Sequence, residues 1–362
     1  MTIFLDILAI IGFVSLLFLS IDVFILFNEW QQRIHIGRWS NRKEWQQAVE
    51  RKAKDWLRHT PTVKITDQSR LILWDILRGN YRSKQIQSWQ DAGLLLGLEK
   101  EDARNYVKAH PQLFKETSME VDQTLLAYAL IKHQVLTTEQ GEYIKNFFLP
   151  YLNNEETVPY RKQLPKVRFV DTIGMIVPFL HACGYTSLAT KQMEEFDKVL
   201  LEDIFPPHAF HQDTYTPMGV YDWSRGLGWY ILGLIEADTL KGNKERILKL
   251  ASSLLSFQQK DGGFSCMLLN EQERFESSGT ALIGLLFIKA YQLSNEQIYL
   301  EVARATERAL MKATRRNGVV DYAQGDTKGI GFYSRNFTAM PFAQGVTLYF
   351  SKQLDVYEKN LG

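Results

Sequence analysis

One layout recurs along this chain and restricts the folds open to it: a polar start, often acidic or bearing arginine, followed by an apolar run with helical period. The repeats begin near Asp122, Asp171, Trp223, Glu276 and Asn336, and an apolar run at Ser88–Leu98 (SWQDAGLLLGL) precedes them. From Asp122 onward the step is roughly 50 residues, a period typical of stacked supersecondary units. The runs are apolar nearly all round, which calls for burial on more than one side. Between them lie amphipathic, charged stretches such as 243–259 and 295–312. Two helices per unit, six times over, predict an all-α closed ring with inner helices at 88–98, 121–131, 170–183, 225–237, 277–291 and 336–350. Amphipathic helices at 43–58 and 68–78 come before them.

Connection lengths say where chemistry would sit. Links from inner to outer helices are short, whereas the return links 153–169, 205–223, 261–276 and 317–335 are long. Long loops inside compact domains are uncommon and tend to be functional. All of them lead into inner-helix N-termini, so they share one face, and the helix dipoles there favour an anionic ligand. Gly262-Gly263 and Asn317-Gly318 mark tight turns within two of these loops.

The N-terminus follows another rule. Residues 3–27 are apolar apart from Asp6, Asp22 and two serines, and about 25 residues at 1.5 Å each span about 37 Å, enough for a tilted membrane helix. No basic n-region or small-residue cleavage site of a secretory signal is present. The expected division is therefore a transmembrane anchor over 1–28, a juxtamembrane linker over 29–44 and a helical domain over 45–362. Arg33, Arg38, Arg42 and Lys43 follow the apolar run and no Lys or Arg precedes it. The positive-inside rule then puts the body in the cytoplasm as a single-pass cell-membrane protein, with Trp30 and Trp39 at the interface.

Composition excludes several classes. With 45% hydrophobic and 23% charged residues, the chain is that of a folded globular protein. Its net charge of +1 supplies no field for nucleic acid, and no nucleic-acid-binding motif is present. Cys183 and Cys266 stand alone without a CxxC or histidine pattern, which excludes a disulfide framework and argues against a thiolate metal site. Oligomeric state is not legible.

Asp122 and Asp171 take matching places at the starts of successive inner helices. Neighbouring helix axes run about 8–10 Å apart, so both carboxylates can reach one pocket, although an Asp there is also a common helix cap. A general acid needs a raised pKa, which burial and a neighbouring carboxylate can supply against the helix dipole. Trp223-Ser-Arg-Gly-Leu-Gly-Trp229 is the most distinctive string. Arg225 offers a planar fork for a carboxylate and tryptophan a face for a sugar, though Trp229 also suits a core. His208 and His211, in the preceding loop, could orient a ligand, and Glu276 could equally cap its helix.

Four strings in this order resemble the unsaturated glycuronyl and rhamnogalacturonyl hydrolases of glycoside hydrolase families 88 and 105. They are Trp89-(x)3-Gly93-(x)3-Gly97-Leu98, Val170-Asp171-Thr172 with Pro178-Phe179-Leu180, Trp223–Trp229, and Glu276-Ser-Ser-Gly-Thr-Ala281. The resemblance runs from about residue 45 to the C-terminus. It implies an (α/α)6 barrel and removal of a 4,5-unsaturated uronic acid from the non-reducing end of an anionic oligosaccharide, with no metal or organic cofactor. It also implies Asp171 as general acid/base, Asp122 as the supporting carboxylate, and His208, Trp223, Arg225, Trp229, Trp89 and Glu276 around the sugar. Two features depart from the family pattern: Leu227 stands where a polar Asn or Gln is usual, and relatives are often soluble. An ordinary two-carboxylate glycosidase on the same ring, or a non-catalytic, membrane-tethered glycan-binding or assembly protein, stays open at this point.

Overall fold

Close backbone contact between glycines closes the ring. In the computed structural model, which describes residues 2–61, 88–115, 119–148, 157–240, 242–270, 273–327 and 329–361, Gly93 of the first inner helix faces Gly345 of the last. A Cβ on Gly345 would lie 1.9 Å from the Gly93 carbonyl oxygen, and one on Gly97 would lie 2.4 Å from the Gly345 oxygen. No other residue type fits without driving the two helices apart.

The inner helices are α3 (Ser88–Gly97), α5 (Asp122–Lys132), α7 (Val170–Ala182), α9 (Ser224–Glu236), α11 (Ser277–Ser294) and α13 (Pro341–Leu361). Each packs on the next in chain order, and α13 packs back on α3. The outer set is α2 (Arg42–Arg58), α4 (Lys100–Ala109), α6 (Thr138–Asn146), α8 (Thr186–Asp197), α10 (Asn243–Leu254) and α12 (Gln297–Lys312). The protein is thus an (α/α)6 barrel, as the apolar periodicity predicts. Inner helices are buried nearly throughout: in α9 every residue from Ser224 to Ile235 is buried. Several outer helices carry the local start signals of a water-facing helix. Asn41 accepts from the Glu44 N–H ahead of α2, and capping boxes at Glu99/Asp102 and Thr137/Gln140 open α4 and α6.

Boundaries differ in two places. The last inner helix starts at Pro341 rather than Asn336, because Phe337–Thr338 is spent on a strand, and it runs on to Leu361. The helix expected at 68–78 and the start of the 153–169 loop lie outside the described residues.

The long loops fold into two small antiparallel sheets on the face where the inner helices begin. β1 (Val167–Phe169), β2 (Ala209–His211) and β3 (Thr216–Met218) form one, and β4 (Ala323–Gln324) with β5 (Phe337–Thr338) the other. Asn317-Gly318 makes the expected turn, with Gly318 at φ +83° and Thr314 bridged to Val320. Gly262, at φ +96°, turns the loop ahead of α11.

A single helix, α1 (Thr2–Arg33), precedes the barrel, with mean hydropathy 2.6 over its most apolar window and almost all of its side chains exposed. It is long and apolar enough to cross a membrane. The helix continues past residue 28 to Arg33, and the segment expected as a linker packs on the body. Gly37, at φ +73°, donates its N–H to the Thr314 carbonyl at 3.0 Å, and Trp39, expected at the membrane interface, donates its indole N–H to the Arg315 carbonyl at 3.1 Å.

Candidate active site

Backbone pairing brings together residues that are far apart in sequence. β1 runs straight into α7, and its register opposite β2 pairs Phe169 with Ala209. His208 therefore falls opposite Val170, whose N–H it accepts at 2.9 Å, and its ring comes beside Asp171. His208 Nε2 lies 3.8 Å from Asp171 Oδ2. On its other side Nδ1 is 3.1 Å from the Tyr333 hydroxyl, whose oxygen accepts the Val220 N–H at 3.2 Å. With that oxygen accepting from Val220, its proton is free to be given to Nδ1, which leaves a proton on Nε2 facing Asp171. Burial, reinforced by the Arg225 charge, pulls the His208 pKa down to about 4, so the ring is neutral at neutral pH.

The two candidate carboxylates are both suited to holding a proton. Asp171 is raised to about 6 by burial, against its own backbone N–H, Arg225 and Arg161, which all favour the charge. Its side chain keeps 15% of its surface exposed, and Oδ2 has no hydrogen-bond partner. A buried carboxylate oxygen left unpartnered is available to a ligand. Asp122 is also raised to about 6, by burial first and by Glu120, while Arg161 and the N–H groups of residues 122 and 123 oppose it. Some capping character therefore persists at Asp122. Both carboxylates act on the Tyr160 hydroxyl, which burial and these two charges hold well above its usual pKa. They stand in one electrostatic neighbourhood on adjacent helices.

The other expected site residues separate into two groups. Trp89 is half-buried at the inner wall, edge-on to Trp229 at 6.0 Å and beside Phe342 at 5.5 Å. Trp223 backs the site, 4.9 Å from the His208 ring and 5.3 Å from Tyr333, with its indole N–H on Gln324 Oε1 at 2.9 Å. At 2% exposure it supports the site rather than offering a face to a sugar. Trp229 is a core residue, 1% exposed and packed on Phe342 at 4.6 Å.

Arg225 corrects the expectation of a free fork. Its two terminal nitrogens donate to the carbonyls of Gln324 and, at 2.8 Å, Gly325, and it is 2% exposed. The fork is used to hold β4, and its charge reaches Asp171 and His208 from behind. Glu276 is corrected likewise. Fully buried, it caps α11 by accepting from the N–H groups of Ser278 and Gly279, and it accepts the Gln324 N–H at 3.0 Å. Of the two readings open in the sequence, capping is the one observed. Leu227, the departure from the family string, is inaccessible and part of the core.

Four residues at the site escaped sequence reasoning. Tyr333 fixes His208. Asp326, raised by burial and by the charge of Asp171, faces the same space. Tyr160 feels the charge of both carboxylates, and the exposed Arg161 guanidinium rests over its ring at 4.6 Å. Among the described residues no hydrogen bond or ion pair occupies that guanidinium. The sequence signal was the Tyr-Arg pair in a loop already marked as long, and the Phe-Tyr-Ser string in another; neither has a periodicity to single it out. Cys183 is half-buried and Cys266 buried, both free, with thiol pKa values pushed by burial up to about 11 and about 12. Among the described residues no cluster of three or more His, Cys, Asp or Glu is arranged to hold a metal.

Comparison with known proteins agrees with the barrel fold. The model of Glycosyl Hydrolase Family 88 matches residues 99–356. A possible member of the GH105 family from Klebsiella pneumoniae superposes with a TM-score of 0.67 at 17% identity, covering 88% of this chain and 95% of that one. Unsaturated glucuronyl hydrolase from Bacillus sp. GL1 gives 0.63 at 16% identity, over 87% and 97% of the two chains. An unsaturated glucuronyl hydrolase specific for heparin gives 0.64 at 12% identity, over 87% and 98%. At these identities the structures establish a shared fold. No match was found among the curated proteins. Because the family model spans well over half of the 362 residues, the chain belongs to Glycosyl Hydrolase Family 88 and is a glycoside hydrolase.

Proposed function

We propose that this glycoside hydrolase removes a 4,5-unsaturated uronic acid from the non-reducing end of polysaccharide-derived oligosaccharides. The observation that carries the reading is a pair of half-buried carboxyl groups, Asp122 and Asp171, both raised to about 6, near Arg161, whose guanidinium no hydrogen bond or ion pair occupies among the described residues. A general acid working near neutral pH needs a pKa close to it. A uronate needs a cation, and Arg161 can meet it at the site mouth because Arg225 is already committed.

In this mechanism protonated Asp171 delivers its proton to C4 of the C4=C5 bond. The ring oxygen shares the positive charge that develops at C5, and water adds there as a carboxylate takes its proton. The resulting hemiketal opens, and the glycosidic bond is lost without attack at C1. His208, neutral and held by Tyr333, offers Nε2–H to Asp171 or to a sugar hydroxyl, while Asp122 stabilises the positive charge. Two structural neighbours support the substrate class: one is an unsaturated glucuronyl hydrolase responsible for the degradation of glycosaminoglycan, the other an unsaturated glucuronyl hydrolase specific for heparin. We further assign α1 as a single-pass anchor, with the barrel on the cytoplasmic side by virtue of the basic residues that follow the helix.

A panel of unsaturated disaccharides tests the reading, since the conjugated enol ether absorbs ultraviolet light and hydration removes the signal. Loss of absorbance with release of the neighbouring sugar is expected. Cleavage of saturated glycosides alone, with unsaturated ones untouched, would instead place the enzyme among ordinary two-carboxylate glycosidases.

A further inference from the structure

The loop 313–340 joins α12 to α13 and is gripped from two sides. On the site side, Arg225 and Glu276 hold the backbone of Gln324, Asp326 is near enough to Asp171 to feel its charge, and Tyr333 hydrogen-bonds His208. On the other side the grip comes from the end of the apolar helix. Arg33 Nε and Nη2 donate to the two oxygens of Asp321 at 2.7 and 2.8 Å, and Nη2 also donates to the Phe337 carbonyl at 2.8 Å. Asp321 comes two residues before β4, and Phe337 opens β5, so one guanidinium ties both strands of the pair. Its neighbour Gln32 accepts from Arg315 Nη1 at 2.5 Å, and Arg315 Nε reaches Asp321 Oδ2 at 2.6 Å.

We propose that Arg33, at the end of the apolar helix, is a positioning residue for the active site, acting through Asp321 and Phe337 to hold Asp326 and Tyr333 against Asp171 and His208. The Asp321 side chain is fully buried, and two guanidinium groups satisfy it. Without Arg33 it keeps Arg315 on Oδ2 and the Tyr322 N–H on Oδ1 but loses the guanidinium that joins it to β5, and the β5 carbonyl loses its donor. Asp326 is only two residues beyond the end of β4, so a shift of the strand pair is delivered to the site with little chain in which to dissipate it. The anchor is thereby part of the catalytic unit and not merely a tether.

The inference rests on the placement of Asp171 in the site, so the test has one arm that needs no substrate. The full chain in detergent is compared with Arg33→Ala, Arg33→Lys and the control Arg42→Ala. Arg42 pairs with Glu307, Asp355 and Glu358 on α12 and α13, away from the loop. Amide hydrogen exchange should show faster exchange over 321–327 and 329–338 in Arg33→Ala and partial recovery in Arg33→Lys. The control should leave those segments unchanged. On an unsaturated disaccharide, Arg33→Ala should lower kcat by about tenfold or more, since small misplacements of reacting groups are costly, with KM changed less. It should also move the alkaline limb of the pH profile to lower pH as water reaches Asp171. A folded Arg33→Ala protein with wild-type exchange over those segments, or with wild-type kcat and pH profile on a substrate the parent turns over, overturns the proposal. A parent that turns over no unsaturated substrate refutes the proposed reaction but leaves the exchange arm to decide the coupling.

Discussion

Replacing Asp171 with asparagine separates what this carboxyl does for chemistry from what it costs the fold. Its pKa stands at about 6 in the folded protein against 3.8 for an ordinary aspartate, mainly because burial penalises the charge. The folded state therefore binds the proton more tightly than the unfolded one, so stability falls as pH rises from about 4 to about 6 and stays low above that. A difference of about 2.2 units at 1.36 kcal/mol each is a penalty of about 3 kcal/mol at pH 7.5, falling to roughly half near pH 5 and vanishing below pH 4. Asparagine cannot ionise, so Asp171→Asn should gain up to about 3 kcal/mol at pH 7.5 and almost nothing at pH 4. The figure is a ceiling, because the new amide N–H₂ also needs partners where Oδ2 now has none. Thermal unfolding of the full chain in detergent at both pH values reads the effect, and ultraviolet loss from an unsaturated disaccharide reads turnover. That turnover should drop by about 10²–10⁴-fold, the range for a positioned general acid. A variant no more stable at pH 7.5 than at pH 4, relative to its parent, refutes the burial argument. A variant that keeps full turnover refutes the assignment of Asp171 as the acid.

Arg161→Ala should raise KM for uronate-ended substrates more than it lowers kcat; because Arg161 favours the charged form of both carboxylates, its loss should also move the alkaline limb of the pH profile to higher pH. Unchanged KM would remove Arg161 from substrate binding. Tyr333→Phe takes away the hydroxyl that sets the His208 tautomer and the acceptor for Val220, and a fall in kcat of about tenfold with little change in melting temperature is expected. Gly345→Ala places a Cβ 1.9 Å from the Gly93 carbonyl oxygen and should cost about 1–3 kcal/mol or more by forcing α3 and α13 apart, read as a lowered melting temperature at unchanged pH limbs.

The ring was legible because its signal is additive. Apolar positions spaced three and four apart over 88–97, 170–182 or 277–294 can be satisfied only by helices buried on several sides, and six such runs with amphipathic partners leave few arrangements open. Asp171 and His208, which the fold brings side by side, were singled out by the strings they sit in. Arg225 and Glu276 lie in equally distinctive strings, yet both serve the loop that carries the site. An arginine in a motif shows a cation at a place, whereas the acceptors it meets, here the carbonyls of Gln324 and Gly325, come from another unit roughly 100 residues on, beyond any local pattern.

By itself the chain determined the helical ring, the face on which its long loops gather, the apolar N-terminal helix and the placing of Asp122 and Asp171 in the first turns of successive inner helices. Those follow from period, length and charge, which are local properties read one segment at a time. Only the tertiary structure decided that Arg225 is occupied while Arg161, among the described residues, is not, that Tyr333 meets His208 and Asp326 feels the charge of Asp171, and that Arg33 reaches across to Asp321. Hydrogen-bond partners and desolvation are properties of neighbours in space, and the folded loops alone bring those neighbours together.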